Sequence, residues 1–498
     1  MTDKNSRQFG LSKSRIAAFE QCPRRLWLQT HRKDLAVIDE GAQARFAEGN
    51  QVGEVACSLL PDGVMVEVDL KAAVQVTSEL IANGTLPIFE GTFSHDGVLV
   101  RVDVMEPDGS GAWHVAEVKS ATSAKDYHIG DLATQIWIIE QCGVTIASAS
   151  IRHVDNGFTL TRLGDYTGLF ADAEQSAAIR PIIAARPAVV EAARNMLAGE
   201  EPECAIGPHC KTPFDCEFQH WCGRNEPSSP EWPISDLPRS GAKLAAQWAE
   251  QGIADIRDLP SDAGLNPLHD RIRQAVITGT TFIDREGVGR DTQRWAFPRI
   301  WIDFETITFA VPRWIGTRPY EQIPFQFSAH VEHADGRIDH IECLDLSGDD
   351  PRPAVAKALA TLPSDGAAIA WNAGFERGCF RSLAQAVPGY AAELQSLEKR
   401  TVDLLPVART HYYHPSQRGS WSIKNVLPTI APELDYSTLE VKDGGNAQVA
   451  YLEAIALVDN TPRKRDIDVA LKAYCERDTW AMVAIYRGLI GSEAGYGR

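Results

Sequence analysis

The chain has 498 residues, too many for one ordinary core; at roughly 150 residues per domain, about three domains are expected. Hydrophobic residues make up 44% and charged residues 23%, the balance of a globular protein, and no run approaches the roughly 18 apolar residues of a membrane helix. The formal charge of −18, from 49 Lys and Arg against 67 Asp and Glu, argues against a protein that coats nucleic acid by bulk electrostatics, while a nuclease with acidic metal ligands and a local basic groove stays open. The stretch MTDKNSRQFGLSKSR carries charges without an apolar segment, so no signal peptide and a cytoplasmic location are expected. Disulfides are rare in that compartment, so ten cysteines, four of them between Cys204 and Cys222, point to metal or iron–sulfur ligation.

From residue 11, LSKSRIAAFEQCPRRLWLQTHR offers Ser12 and Ser14 as caps of an apolar-periodic helix with Ile16, Phe19 and Leu26, and Cys22 falls inside it. A second helical stretch covers 42–60. The runs 64–68, 87–93, 98–106 and 112–120 are short, rich in β-branched residues and broken by Asp-Gly and Gly-Ser turns, hence strands of a mostly antiparallel sheet. A helix at 126–142 and a strand at 147–154 complete an α/β core. Asp103 and, fourteen residues later, Glu117-Val118-Lys119 stand in that sheet. Strand alternation puts Glu117 and Lys119 on one face. There Asp103 could join Glu117 in holding Mg²⁺ or Mn²⁺, with the lysine steadying phosphate charge. A plain Glu117–Lys119 surface pair is the alternative for these residues taken alone.

Cys204, Cys210, Cys216 and Cys222 recur every six residues. Thiolate sets serve zinc or iron–sulfur clusters, and the spacing is wider than the roughly two to four intervening residues of usual zinc pairs, which favours [4Fe–4S] with zinc as the alternative. Cys57, Cys142, Cys343, Cys379 and Cys475 lie in apolar surroundings and read as core. Residues 226–298 open with the Pro- and Ser-rich NEPSSPEWPISDLP and continue as a helix, a Gly-containing turn and a short second helix. This is a connector or a helix–hairpin–helix that touches nucleic-acid backbone through turn amides. One more helix is expected at 267–280.

The strand RIWIDFETI, residues 299–307, carries Asp303 and Glu305 on one face. Burying two acids there is costly unless they bind a cation. Strands at 325–333 and 338–346 and a helix at 353–362 follow. AAIAWNAGFERGCF is a strand that breaks at 372–374 and continues as a helix with Glu376. The late amphipathic helix 469–489 places Tyr474 and Asp478 four apart, on one face. Four such acids can hold two metal ions for in-line attack on phosphate, and Asp403 is a further carboxylate at hand. Between them, Arg418, Ser420, Ser422, Lys424 and Trp421 offer phosphate and base-stacking contacts, or a tryptophan packed into the core. No Walker-type phosphate loop is present, so no ATP-driven motor is expected.

Over residues 11–225, Asp103, the Glu117-x-Lys119 pair and a helix bearing Gln135 resemble the PD-(D/E)xK nucleases of the RecB type. With CPRRLWL in front and the cysteines behind, the stretch is similar to the iron–sulfur exonucleases of CRISPR adaptation and the AddB-type nuclease domain. The resemblance implies a restriction-endonuclease-like module with Asp103 and Glu117 as metal ligands, Lys119 and Gln135 as catalytic residues, and a [4Fe–4S] cluster on Cys22, Cys210, Cys216 and Cys222, with Cys204 to spare. Those relatives carry a metal-binding histidine where this chain offers Asn50, with Glu54 one turn later, so a weakened first site is implied. Over 299–498, DFET, NAGFE and YCERD resemble the three motifs of ribonuclease-H-like DEDD exonucleases in the subtype with tyrosine. That implies Asp303, Glu305, Glu376 and Asp478 as metal ligands and Tyr474 as the residue that orients water, with Glu376 where aspartate is usual. The whole chain is similar to an uncharacterised bacterial family that fuses the two modules. The expectation is a metal-dependent 3′–5′ exonuclease on DNA. A weakly catalytic nucleic-acid-binding component of a repair or defence complex, or an RNA-processing enzyme, are the alternatives.

Overall fold

The structure is a computed structural model that describes residues 10–37, 41–225 and 229–492, without the side chains of 41–46, 71 and 225. It is a mixed α/β protein that divides into two compact units, residues 1–226 with 309–321, and residues 227–308 with 322–498. The stretch 227–298, expected as a separate linker, thus folds as part of the second unit.

In the first unit, strands β1 (Leu11–Ser12), β2 (Val64–Met65), β3 (Ile88–His95), β4 (Val98–Pro107), β5 (Trp113–Lys119), β6 (Ile146–Val154) and β7 (Phe170–Glu174) form a seven-stranded sheet in the order β2-β3-β4-β5-β6-β7, with β1 beside β4. The β3–β4, β4–β5 and β6–β7 pairs are antiparallel, and β5–β6 is parallel. Helices α1 (Lys13–Gln21), α2 (Pro23–His31), α3 (Gly41–Ser58), α4 (Leu70–Asn83), α5 (Asp126–Gln141), α6 (Arg180–Leu197) and α7 (Gln219–Cys222) accompany it. The main core joins Val98, Val100, Trp113 and Val115 of the sheet to Leu132 and Ile136 of α5. One correction concerns Cys22, expected inside a single helix. It stands between α1 and α2 in extended backbone, φ −162° and ψ 116°. Pro23 is the cause: it disfavours helical backbone in the residue before it and suits the first position of a new helix.

In the second unit, β8 (Phe282–Ile283) pairs with β14 (Tyr412–Tyr413), and β9 (Arg299–Ile307), β10 (Ile323–Glu332), β11 (Ile338–Leu344), β12 (Ala367–Ala370) and β13 (Thr401–Asp403) form a five-stranded sheet ordered β11-β10-β9-β12-β13. β10 runs antiparallel to both β9 and β11, whereas β9, β12 and β13 are parallel. The helices are α8 (Gly241–Ala249), α9 (Pro267–Thr278), α10 (Arg285–Thr292), α11 (Arg352–Leu359), α12 (Gly374–Ala386), α13 (Ala391–Arg400), α14 (Leu404–His411), α15 (Ile423–Val426), α16 (Gly444–Ala456) and α17 (Pro462–Ile490). After α8 the expected short second helix is a 3₁₀ turn, Ile256–Asp258. Ile300, Ile302 and Phe304 of β9 pack with Phe327, Ala329 and Phe380 in the core. Among the described residues no helix is long and apolar enough to cross a membrane.

Candidate functional site

Because β9 gives Ile300, Ile302 and Phe304 to the core, alternation turns Trp301, Asp303 and Glu305 to the opposite face. There Trp301 meets Tyr486 of α17, ring centroids 5.2 Å apart. The same helix brings Tyr474 and Asp478, both buried. One carboxylate oxygen from each of Asp303, Glu305 and Asp478 lies within 4.8 Å of the others. Glu376 enters from the first turn of α12. The turn before it depends on Asn372 at φ 71°, a left-handed conformation that asparagine tolerates. Asp403 accepts the Asn372 and Leu405 N–H groups at 3.0 Å each, which makes it the peg of that turn. Glu376 is only 2% exposed, and its Oε2 is buried without a hydrogen-bond partner.

The electrostatics follow from this crowding. Burial, then the charges of Asp478, Glu305 and Glu376, drive the Asp303 carboxyl well above its usual range. Burial and Asp478 push Glu305 up to about 8, and burial pushes Glu376 to about 8. Asp478 rises to about 6 through burial, opposed by hydrogen bonds from Tyr436 and Tyr474 and by the Lys424 charge. Tyr436, which no sequence motif indicated, donates its hydroxyl to Asp478 Oδ1 at 2.5 Å. Lys424 Nζ reaches the Tyr474 hydroxyl at 3.4 Å and donates to the Lys442 carbonyl at 2.6 Å. Like charges held together and removed from water disfavour ionisation unless a cation joins them. Hard carboxylate oxygens with one orphaned atom among them fit a divalent cation of the Mg²⁺ or Mn²⁺ type.

The site in the first unit is built differently. Glu117, 1% exposed, accepts Lys119 Nζ at 2.7 Å and Lys13 Nζ at 2.5 Å on Oε1, and Gln135 Nε2 at 2.6 Å on Oε2. Lys119 also lies 3.4 Å from Asp131, and Gln135 donates to the Arg101 carbonyl at 2.9 Å. Burial works to raise Glu117, but the Lys13 and Lys119 ammoniums prevail and hold it at about 2. Asp103 spends one oxygen on the Val118 N–H at 2.7 Å; burial and the Glu117 charge raise it to about 7. The structure therefore brings together Asp103, Glu117, Lys119 and Gln135 and adds Lys13 and Asp131. Asn50 and Glu54 on α3 are exposed.

Side-chain hydrogen bonds and ion pairs join α2 and its approach to the stretch 201–217. Arg24 binds Glu201 at 2.7 Å, Arg25 and Gln29 bind Glu217 at 2.9 and 2.7 Å, and Gln21 donates to the His209 and Phe214 carbonyls at 2.7 Å each. The cysteines converge there without disulfides. Cys204 is half-buried, and ligand atoms of Cys22, Cys204 and His209 lie within 4.8 Å of one another. His209 Nε2 is 3.5 Å from the Cys204 sulfur and 3.6 Å from that of Cys210. Burial raises the Cys204 thiol to about 11, helped by Cys22, Cys210 and Cys222. Cys216 rises to about 11 through burial, and Cys210 is the cysteine that contributes to it. The donors present, thiolates with one imidazole, suit zinc as well as an iron–sulfur cluster.

Of the residues expected to meet nucleic acid, Trp421 is 5% exposed and donates its indole N–H to the Tyr412 carbonyl at 3.1 Å, so it packs in the core and offers no stacking face. Arg418 binds the Glu231 carbonyl and lies 4.1 Å over the Trp232 ring. Ser420 donates to Asn425 at 3.3 Å, and its own hydroxyl accepts the Ser422 N–H at 3.1 Å.

Residues 300–422 match a family described as "Domain of unknown function (DUF2779)". That span holds Asp303, Glu305, Glu376 and Asp403 and ends before Tyr474 and Asp478. No curated protein matches the chain. A solved structure described as "Crystal structure of SSO0001" is similar over 38% of this chain and 77% of its own, at 14% identity and a TM-score of 0.20, a likeness too slight to carry an argument.

Proposed function

We propose that the protein is a metal-dependent phosphodiesterase, a 3′–5′ exonuclease of the DEDD type acting on DNA strands, with its chemistry in the second unit. The observation that carries the reading is the crowded, buried set Asp303, Glu305, Glu376 and Asp478, three of them with oxygens within 4.8 Å and the fourth with a buried, unpartnered oxygen. Divalent cations on these carboxylates would supply Lewis-acid stabilisation of the charge that develops on phosphate. Tyr474 would orient the attacking water, with Asp478 and Lys424 fixing its hydroxyl. A mixed sheet with Asp303 and Glu305 on its middle strand supports the ribonuclease-H-like assignment.

The Asp103–Glu117–Lys119–Gln135 set supports a PD-(D/E)xK-like module of weaker activity, because Lys13 and Lys119 already neutralise Glu117. The cluster of thiols with Cys22 supports a metal or [4Fe–4S] centre of structural role. Purified protein, Mn²⁺ and end-labelled DNA and RNA strands test the reading: wild type should release nucleotides from the 3′ end, and Asp303→Asn should lose that product. Undiminished product from Asp303→Asn would overturn the assignment.

A further inference from the structure

A second cluster of metal-binding side chains lies on the same sheet, one strand beyond the carboxylates. His330 of β10 sits opposite His340 of β11, their rings nearly parallel with centroids 4.6 Å apart. Glu476 of α17 completes the group, and one ligand atom from each of the three lies within 4.8 Å of the others. His330 is buried, whereas His340 and Glu476 are exposed. The Glu476 carboxylate is in no ion pair among the described residues.

Two hydroxyls hold the rings. That of Thr479 lies 2.8 Å from His330 Nδ1 and 2.8 Å from the Ser328 hydroxyl, and Ser328 in turn lies 2.9 Å from His340 Nε2. A neutral imidazole keeps one bare nitrogen whichever way these bonds run, and such hydroxyls orient the rings as the outer partners of metal-bound histidines do. Burial and the neighbouring His340 hold the His330 imidazole below its ordinary range.

We propose that His330, His340 and Glu476 form a binding site for a first-row transition-metal dication of the zinc class, separate from the carboxylate site and from the cysteines. Two imidazoles and one carboxylate select such ions over Mg²⁺ or Ca²⁺. Tetrahedral zinc ligands stand about 3.3 Å apart, a closure that the exposed His340 and Glu476 side chains can supply. The bound ion would brace the β10–β11 hairpin against α17, two residues before Asp478.

The test uses full-length protein stripped of metal and titrated with Co²⁺, in an Asp303→Asn background that weakens the carboxylate site. The parent should bind one equivalent more than its His340→Ala and Glu476→Gln derivatives, and that equivalent should show ligand-field bands without thiolate charge transfer. Zn²⁺ should displace it. Both altered residues are exposed, so the derivatives should keep the parent's circular dichroism; if one fails to fold, the other decides. Equal Co²⁺ stoichiometry and spectra in the parent and a folded derivative would overturn the proposal.

Discussion

Asp303→Asn should make the metal-free protein more stable in the same stroke that removes the proposed nuclease activity. Oxygens of Asp303, Glu305 and Asp478 lie within 4.8 Å of one another, and at an effective dielectric of about 20 two unit charges at that distance repel by about 3.5 kcal/mol. Burial, joined at Glu305 by the Asp478 charge, favours proton uptake, so that Glu305 stands at about 8 and Asp478 at about 6. Folded values above the unfolded ones mean that, between the ordinary carboxylate range and pH 8, the folded state binds more protons. Stability without metal therefore declines as pH rises through that window. The gain from Asp303→Asn should be small at pH 5 and approach about 3 kcal/mol at pH 9, a rise in Tm of roughly 6–12 °C for a unit of this size. Calorimetry in chelator at both pH values measures it. Added Mn²⁺ should raise the Tm of wild type at pH 9 far more than that of the variant. A variant that melts at or below the wild-type temperature at pH 9 in chelator would refute the reasoning, since the carboxylates would then not be repelling one another.

Three further outcomes are expected. Tyr474→Phe should lower the rate of nucleotide release roughly 10²-fold, the usual weight of one positioned proton-handling group, with KM little changed; an unchanged single-turnover rate would show that the hydroxyl has no part in the step. Glu117→Gln leaves the Lys13 and Lys119 ammoniums facing no carboxylate on Oε1 and should destabilise the protein by roughly 3–5 kcal/mol; urea unfolding reads this, and an unaltered midpoint would contradict the ion-pair assignment. Cys204→Ser should lower the iron or zinc content of anaerobically purified protein at least as much as Cys216→Ser, because Cys204 and not Cys216 shares a ligand group with Cys22; retention of full metal by Cys204→Ser, with loss in Cys216→Ser, would restore the ligand set that the resemblance implies.

What could be read from the sequence was local. Asp303 and Glu305 at i and i+2 on an apolar strand, and Tyr474 and Asp478 at i and i+4 on an amphipathic helix, have their relative facing set by backbone periodicity alone. The same holds for Glu117 and Lys119. Contacts that close over long chain separations leave no such trace. Lys13 reaches Glu117 across 104 residues, and Tyr436 reaches Asp478 across 42. Nothing in either local pattern marks these partners. The cysteines show the same limit: ligand atoms of Cys204 and His209 lie beside that of Cys22, far away in the chain. Pro23 was a signal at hand, since a proline just after Cys22 forecasts the break that separates α1 from α2.

The segment 309–321 lies between β9 and β10 in the chain, yet it packs with the first unit. There Ala310 and Val311 close over Val52, Val154 and Leu169, and Tyr320 binds Glu48 and the carbonyl of Ser120, next to Lys119. The first unit is therefore discontinuous in sequence, and no single cut yields it whole. A fragment that stops at residue 226 would open an apolar seat to water beside its own candidate site, inviting aggregation or a false report of inactivity. Joining 309–321 back to such a fragment through a short flexible tether is the way to study the first unit alone.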